Sequence, residues 1–274
     1  MNRIDRRAAI AALIWTASAA WGQPYVEAVH DLDPVGYWRL DETAGTTAWD
    51  TSGHGLHGTY HGAVTLGRPG GLKVGPNAAA AFAGGYVEID HDNRFGGMGD
   101  GTLAFWFRDT GATTCGGLVS KDAAGFGGGG HLTLRNNENG YLYVRLQSTD
   151  AEYLVTAPRP IAADRWYHIA FTFGAGGMTL HVDGEILDSN PYTGGLADNN
   201  EPLVLGANTW ASTSGGMMPL CDRYHGLLDD VALFDRALSR EQIRGLYDAG
   251  TTPEPATAAL LAVGAIAMLR RRRA

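Results

Sequence analysis

The chain has 274 residues, with 21 Lys and Arg against 29 Asp and Glu and a formal net charge of −8 at pH 7. Arginines crowd the two ends, so the middle is more acidic still, and a phosphate-binding surface, which depends on clustered basic side chains, is excluded. The 39 glycines are about twice the usual ~7% share, as a turn-rich chain requires.

Met1–Arg7 is net basic, Ala8–Ala20 is apolar, and Ala17-Ser18-Ala19 are small. This is the layout of a secretory signal peptide, so residues 1–21 are read as one, cut between about Ala19 and Gly22. Arg6-Arg7 forms a twin-arginine pair, but the flanking Asp5 and Ala8-Ala9 add nothing to it, and general secretion is expected. Residues 22–33 read as an N-terminal linker. From Pro34 to Gly250 short alternating runs succeed one another. Leu103, Phe105 and Phe107 share one face of their run, and Leu142, Val144 and Leu146 share another. Tyr167-Ile169-Phe171-Phe173 and Met178-Leu180-Val182 repeat the period of two, which marks half-buried strands.

Asp183-Gly184 is a tight hairpin turn. Gly125–Gly130 is glycine-rich, but no Lys-Ser/Thr comes after it and no helix begins there, so it connects strands rather than cradling phosphate. The gaps hold no helix suited to parallel crossovers, which leaves antiparallel sheets packed as a sandwich. One short helix is expected near the end. Ser239 and Gln242 have capping-box spacing, Ile243, Leu246 and Tyr247 form an apolar stripe, and Gly250 stops it.

The last segment, residues 251–274, contains Pro253-Glu254-Pro255, the apolar run Ala256–Leu269 and Arg270, Arg271, Arg272 and Arg273. As a helix the run would rise about 21 Å, short of the ~30 Å hydrocarbon core. With export expected, the segment resembles the PEP-CTERM sorting signal. The resemblance implies a transient inner-membrane tether through an apolar C-terminal helix. It also implies cutting near Pro253–Pro255 by an exosortase, and then release to the envelope or extracellular space.

The middle of the chain is similar to the bacterial LamG-like jellyroll domain of the concanavalin A-like lectin/glucanase superfamily. YWRLDETAGTTAWDTSGHGLHGTYHG, AAFAGGYVEI, GTLAFWFR, RWYHIAFTF, GMTLHVDGEIL, PLVLGANTW and GLLDDVALFDRALSREQIRGLYDAG occur in that order. The resemblance covers residues 34–250. It implies an all-β, two-sheet antiparallel jellyroll sandwich with one short C-terminal helix. The fold hosts lectins, hydrolases and structural modules alike, so function must come from a site.

Two sites compete. Opposite the apolar faces stand His131 and Arg135, then Tyr141, Tyr143 and Arg145, then His168, with Trp210 in a nearby loop. On the concave sheet that the resemblance implies, these rings and planar donors suit a polysaccharide or surface glycan. Ordinary residues on a solvated face are the alternative. The rival is hydrolysis: Glu88, Asp90 and Asp92 alternate as in the E-x-D-x-x-E strand of laminarinase-type enzymes, although the final Glu is missing. No G-x-S-x-G occurs, and His54, His57 and His61 lack a zinc-ligand pattern. A non-catalytic binding or structural module is therefore expected.

Cys115 and Cys221 are expected to form a disulfide in an oxidising compartment, with two buried thiols as the alternative. The resemblance also implies a structural Ca²⁺ ion held by Asp50, Asp229 and Asp230, since Asp50–Gly58 matches the family's D-x-S-G-x-x-x-x-G segment. Against the ion, Asp50 would bond its own loop amides and Asp229 would pair with Arg236 or Arg240.

Overall fold

The computed structural model describes residues 24–73, 77–111, 115–122, 130–147, 152–209 and 220–251. Two sheets of antiparallel strands face one another. One runs β14 (Glu185–Asn190), β13 (Met178–Val182), β12 (Trp166–Phe173), β7 (Gly101–Asp109), β16 (His225–Phe234), β5 (Ala78–Ala83), β4 (Val64–Pro69), with β1 (Gly36–Trp38) also on β16. The other runs β11 (Glu152–Thr156), β10 (Leu142–Gln147), β9 (His131–Asn136), β8 (Gly116–Lys121), β15 (Leu203–Leu205), β6 (Tyr86–Ile89), β3 (Gly58–His61), β2 (Thr47–Ala48). We call them the helix-bearing sheet and the open sheet.

The alternating runs become strands whose apolar faces meet between the sheets. Leu103, Phe105 and Phe107 of β7 and Ile169, Phe171 and Phe173 of β12 face Leu132 and Leu134 of β9 and Leu142, Val144 and Leu146 of β10 in one buried cluster. Truncating one such ring, as in Phe107→Ala, removes a fully buried side chain and is expected to cost about 3–5 kcal/mol. At the hairpin between β13 and β14, Asp183 and Gly184 take φ of 53° and 78°, the left-handed pair that a two-residue turn of matching twist needs.

β16 is the spine of the helix-bearing sheet. β7 lies along one side, while β5 pairs with its first half (Leu228↔Ala80) and β1 with its second (Val231↔Trp38). A bulge between Asp229 and Ala232 marks the changeover, with Asp230 at φ 51°.

Two helices cover the outer face of this sheet: α1 (Pro24–Asp31) and α3 (Arg240–Thr251), with the single-turn α2 (Asn93–Gly96) elsewhere. The capping box of α3 is realised in both directions. The Gln242 N–H donates to Ser239 Oγ at 3.2 Å, and the Ser239 N–H donates to Gln242 Oε1 at 2.9 Å. Ile243 and Leu246 then pack with Trp106, Ala170 and Phe234 in a second buried cluster. That cluster includes Tyr25 and Val29 of α1, so part of the expected linker at 22–33 is a docked helix.

The expectation of a single short helix beside an apolar C-terminal one is corrected. Among the described residues no helix is long and apolar enough to cross a membrane. The run Ala256–Leu269 is itself too short to span a bilayer as a helix. It lies outside the described residues, as do signal residues 1–21, Pro253, Glu254, Pro255 and Arg270–Arg273. The transient inner-membrane tether is withdrawn with it, both as a partner and as a stage in localisation.

Candidate functional site

On the outward face of the open sheet, β9, β10 and β11 enclose a cleft of about 290 Å³ lined by Thr133, Arg135, Tyr143, Arg145, Glu152, Leu154 and Asn208. Strand register assembles it. Tyr143 lies opposite Arg135, and Arg145 lies opposite both Thr133 and Leu154. Side chains two apart on a strand point the same way, so three strands give one wall of alternate residues. Leu154 is unusually exposed for its size, at 46%.

The polar groups hold one another in place. Asp122 is fully buried behind the cleft and binds Arg145, accepts from Thr133 Oγ1 at 2.6 Å and lies 2.9 Å from His131 Nδ1. Burial pushes the Asp122 carboxyl upward, but His131, Arg145 and Thr133 together hold it below the usual carboxylate range. Arg145 also reaches Glu152 at 3.5 Å. Arg135 pairs with Asp222 at 3.3 Å, and the Asn208 amide donates to the same carboxylate at 3.2 Å. The Arg135 guanidinium sits 5.8 Å from the Tyr143 ring centre, and Asn137 Nδ2 donates to the Tyr143 hydroxyl at 3.1 Å. The cleft thus presents an aromatic ring, an aliphatic side chain, and donors and acceptors fixed before any ligand arrives.

Of the residues expected to bind a ligand, Arg135, Tyr143 and Arg145 line this cleft. Tyr141 lies just before β10 and is outside the lining, while Trp210 falls outside the described residues. His131 is 1% exposed and serves the Asp122 cluster. His168 belongs to the other sheet, completely buried under α1, with its Nε2 3.2 Å from the Tyr25 hydroxyl. Burial and then the neighbouring His181 pull its ring down to about 3, so it is neutral and inaccessible. Glu152, Leu154, Asn208 and the supporting Asp122 and Asp222 escaped the sequence reading. The period-two pattern in EYLVT carried the only local signal for the first two.

The rival carboxylates do not form a catalytic set. Glu88 lies on β6 and pairs with His61 at 3.3 Å, and His61 stacks on Tyr86 with ring centres 4.7 Å apart. Asp90 is exposed beyond the strand end. Asp92 has left the strand altogether: it caps α2 by accepting from the Arg94 N–H at 2.9 Å, and it pairs with the Arg94 guanidinium at 3.0 Å. That backbone bond, ahead of burial's opposing pull, holds the Asp92 carboxyl below its ordinary value. A general acid needs the opposite shift.

The expected calcium ligands are spent elsewhere. Asp50 accepts from the N–H groups of Tyr37, Ser52 and Leu56 and from the Ser52 hydroxyl, each at 2.9 Å. Those four donors use the carboxylate's four acceptor positions. Asp229 accepts from the Gly71 N–H at 2.7 Å, while Asp230 accepts from the Tyr37 hydroxyl and from Asn77. Arg236 and Arg240 pair with Asp235 and Glu185 instead of Asp229. Among the described residues no cluster of three or more His, Cys, Asp or Glu could hold a metal. The residues present therefore do not fit the ion.

Cys115 and Cys221 are not bonded to one another, contrary to the expected disulfide. The Cys221 sulfur turns instead to the Asn208 carbonyl oxygen at 3.4 Å, within the short bridge that pairs those two residues.

Comparison with known proteins agrees with this architecture. The sequence model of a family described as the concanavalin A-like lectin/glucanases superfamily matches residues 82–244, and that of the PEP-CTERM protein-sorting motif matches residues 251–273. Curated proteins give no match. Among solved structures, domain 4 of AbnA, a GH43 extracellular arabinanase from Geobacillus stearothermophilus in complex with arabinotriose, superposes with a TM-score of 0.57 at 19% identity, over 78% of this chain and 98% of that one. The receptor-binding domain of a botulinum neurotoxin mosaic serotype C/D gives 0.59 at 14% identity, over 80% of this chain and 51% of its own. The binding domain of Paraclostridial Mosquitocidal Protein 1 gives 0.59 at 17%, over 81% and 53%. At these identities the likeness is one of fold, and this chain spans about half of each toxin domain.

Proposed function

Because the chain belongs to the concanavalin A-like lectin/glucanases superfamily and ends in a PEP-CTERM protein-sorting motif, we propose that it is an exported, exosortase-sorted, non-catalytic module that binds extracellular polysaccharide. The observation that carries this reading is the open-sheet cleft, where Tyr143 and Leu154 offer apolar surface beside Thr133, Asn208 and two guanidinium groups. A sugar ring is apolar on its face and hydrogen-bonding at its rim, and such a wall complements both. Arg135 and Arg145 are already balanced by Asp222, Asp122 and Glu152, so the ligand they favour is a neutral glycan. The arabinotriose bound to the arabinanase domain supports the same ligand class.

Turnover is absent from this proposal because Asp92 caps a helix and Glu88 is paired with His61, so Glu88, Asp90 and Asp92 do not continue along one strand as the E-x-D-x-x-E arrangement requires. The test is retention on a panel of immobilised neutral polysaccharides, with release of reducing sugar measured in parallel. Retention without release is expected, and Tyr143→Ala should weaken it about tenfold, or ~1.4 kcal/mol. Equal retention of wild type and Tyr143→Ala would remove the cleft from the function, and sugar release lost in Glu88→Gln would restore the hydrolase.

A further inference from the structure

A second cavity, of about 330 Å³, opens on the outer face of the helix-bearing sheet and takes no part in the carbohydrate reading. Its walls are the Gly70–Lys73 segment, Arg165 and Trp166 at the start of β12, Asp183 of the hairpin turn, and Tyr247 and Thr251 of α3, with Trp106 between them. Trp106 and Tyr247 stack there with ring centres 6.1 Å apart and planes 21° from parallel.

The end of α3 is fixed on the rim of this cavity. The Lys73 N–H donates to the Gly250 carbonyl at 2.9 Å, tying the last helical turn to the opposite wall. Gly250 packs so closely that a Cβ there would meet Trp106 Cζ2 at 2.6 Å. The charges are not balanced: Arg165 pairs with Asp183 at 2.6 Å and the Lys73 charge acts on the same carboxylate from farther away, so two cations share one acid.

The chain continues from Thr251 as Thr252-Pro253-Glu254-Pro255. At ~3.3–3.6 Å per extended residue, Glu254 stays within roughly 11 Å of Thr251. We propose that this cavity seats the chain's own Pro253-Glu254-Pro255 tripeptide, with prolines against the half-buried Trp166 and Tyr247 rings and the Glu254 carboxylate on Lys73, while Trp106 stays buried beneath them. Proline suits such a seat because it has no N–H to satisfy and a restricted backbone, which is how aromatic-lined grooves take proline-rich segments generally. The tripeptide lies within the matched sorting motif, so the folded domain competes with the processing enzyme for it. Processing then depends on how often the tripeptide leaves its seat.

The test uses the full-length chain with Cys115→Ser and Cys221→Ser. Lys73→Cys combined with Glu254→Cys should close an intramolecular disulfide under mild oxidant at least tenfold faster than Asn139→Cys combined with Glu254→Cys, whose first position lies in the β9–β10 turn of the other sheet. Equal rates would overturn the proposal. Cross-linking between chains, read as a dimer on a non-reducing gel, would assign the cavity to a second copy and overturn it equally. In otherwise wild-type protein, replacing Pro253, Glu254 and Pro255 by alanine should speed hydrogen exchange of the Gly71–Lys73 amides several-fold, with the melting temperature reported alongside. Unchanged exchange would also overturn it. Neither readout involves a carbohydrate, so it stands or falls apart from the cleft.

Discussion

Replacing Asp230 by asparagine should change the shape, not only the height, of the protein's stability against pH. Asp229 and Asp230 are neighbours on β16 and both fully buried. Among the described residues, Asn77, Tyr37, the Gly71 amide and the more distant Arg39 guanidinium, 3.9 Å from Asp230, receive their charge. Burial raises the Asp230 carboxyl to about 6, and burial together with the Asp230 charge raises Asp229 well above the usual range. The unfolded chain would release the same proton near pH 3.9. A raised carboxyl means that the folded state holds its proton longer, so the stabilisation is complete below about pH 4 and is lost as pH rises through about 6.

Two pH units at ~1.4 kcal/mol each give a loss of about 3 kcal/mol between pH 4 and pH 7.5. Asp230→Asn does not titrate. The Asn77 amide would meet an amide in place of a carboxylate oxygen, at a cost of ~1–3 kcal/mol that is constant with pH. Urea unfolding of both proteins from pH 4 to 8 isolates the titrating part, because Asp109 and Asp183, also raised by burial, contribute to both and cancel in the difference. Asp229 does not cancel, because removing the Asp230 charge lowers its carboxyl in the variant, so the wild-type minus variant stability should fall by at least about 3 kcal/mol across that range. Parallel curves would refute the buried-proton reasoning.

Ser239→Ala removes one half of the α3 capping box and should cost ~1 kcal/mol, a fall of about 2–4 °C in melting temperature by thermal circular dichroism. Because the Asp50 carboxylate is saturated by four donors, melting temperatures in excess calcium and in excess EDTA should agree; a rise with calcium would restore the ion. Intact-mass measurement of the exported protein should find a chain ending near Pro253–Pro255, and recovery of the arginine cluster outside the cell would refute processing of the matched motif.

The strands were legible because their signal is local. Alternation in LAFWF and YVRL depends only on which face is apolar, and both runs point into the inter-sheet core. The cap of α3 was legible for the same reason, since Ser239 and Gln242 satisfy each other within one turn. What alternation cannot convey is what covers the opposite face. His168 and Tyr143 look alike by period, yet α1 buries the first while the second opens on a cleft.

That helix itself gave little signal, with Tyr25 and Val29 as its buried residues across eight positions. Lys121 was illegible too: fully buried, it donates to the Asn199 carbonyl and side-chain oxygens at 3.1 Å each, acceptors 78 positions away. Asp92 misled because an acid that continues a strand and an acid that caps a helical turn are told apart only by the path of the next few residues. Here Asn93-Arg94-Phe95 turns the chain.

The position of β16 sets the order in which this molecule can be built. It forms late in the chain, at His225–Phe234, yet pairs with β1 near the beginning, matching Val231 to Trp38, and with β5 and β7 in between. Each pairing closes a loop of more than a hundred residues, and such long closures must be made before their contacts give anything back. A nascent chain missing its last fifth has the strands flanking β16 but nothing between them, with open edges exposed in the meantime. Assembly is therefore completed only after nearly the whole polypeptide is available.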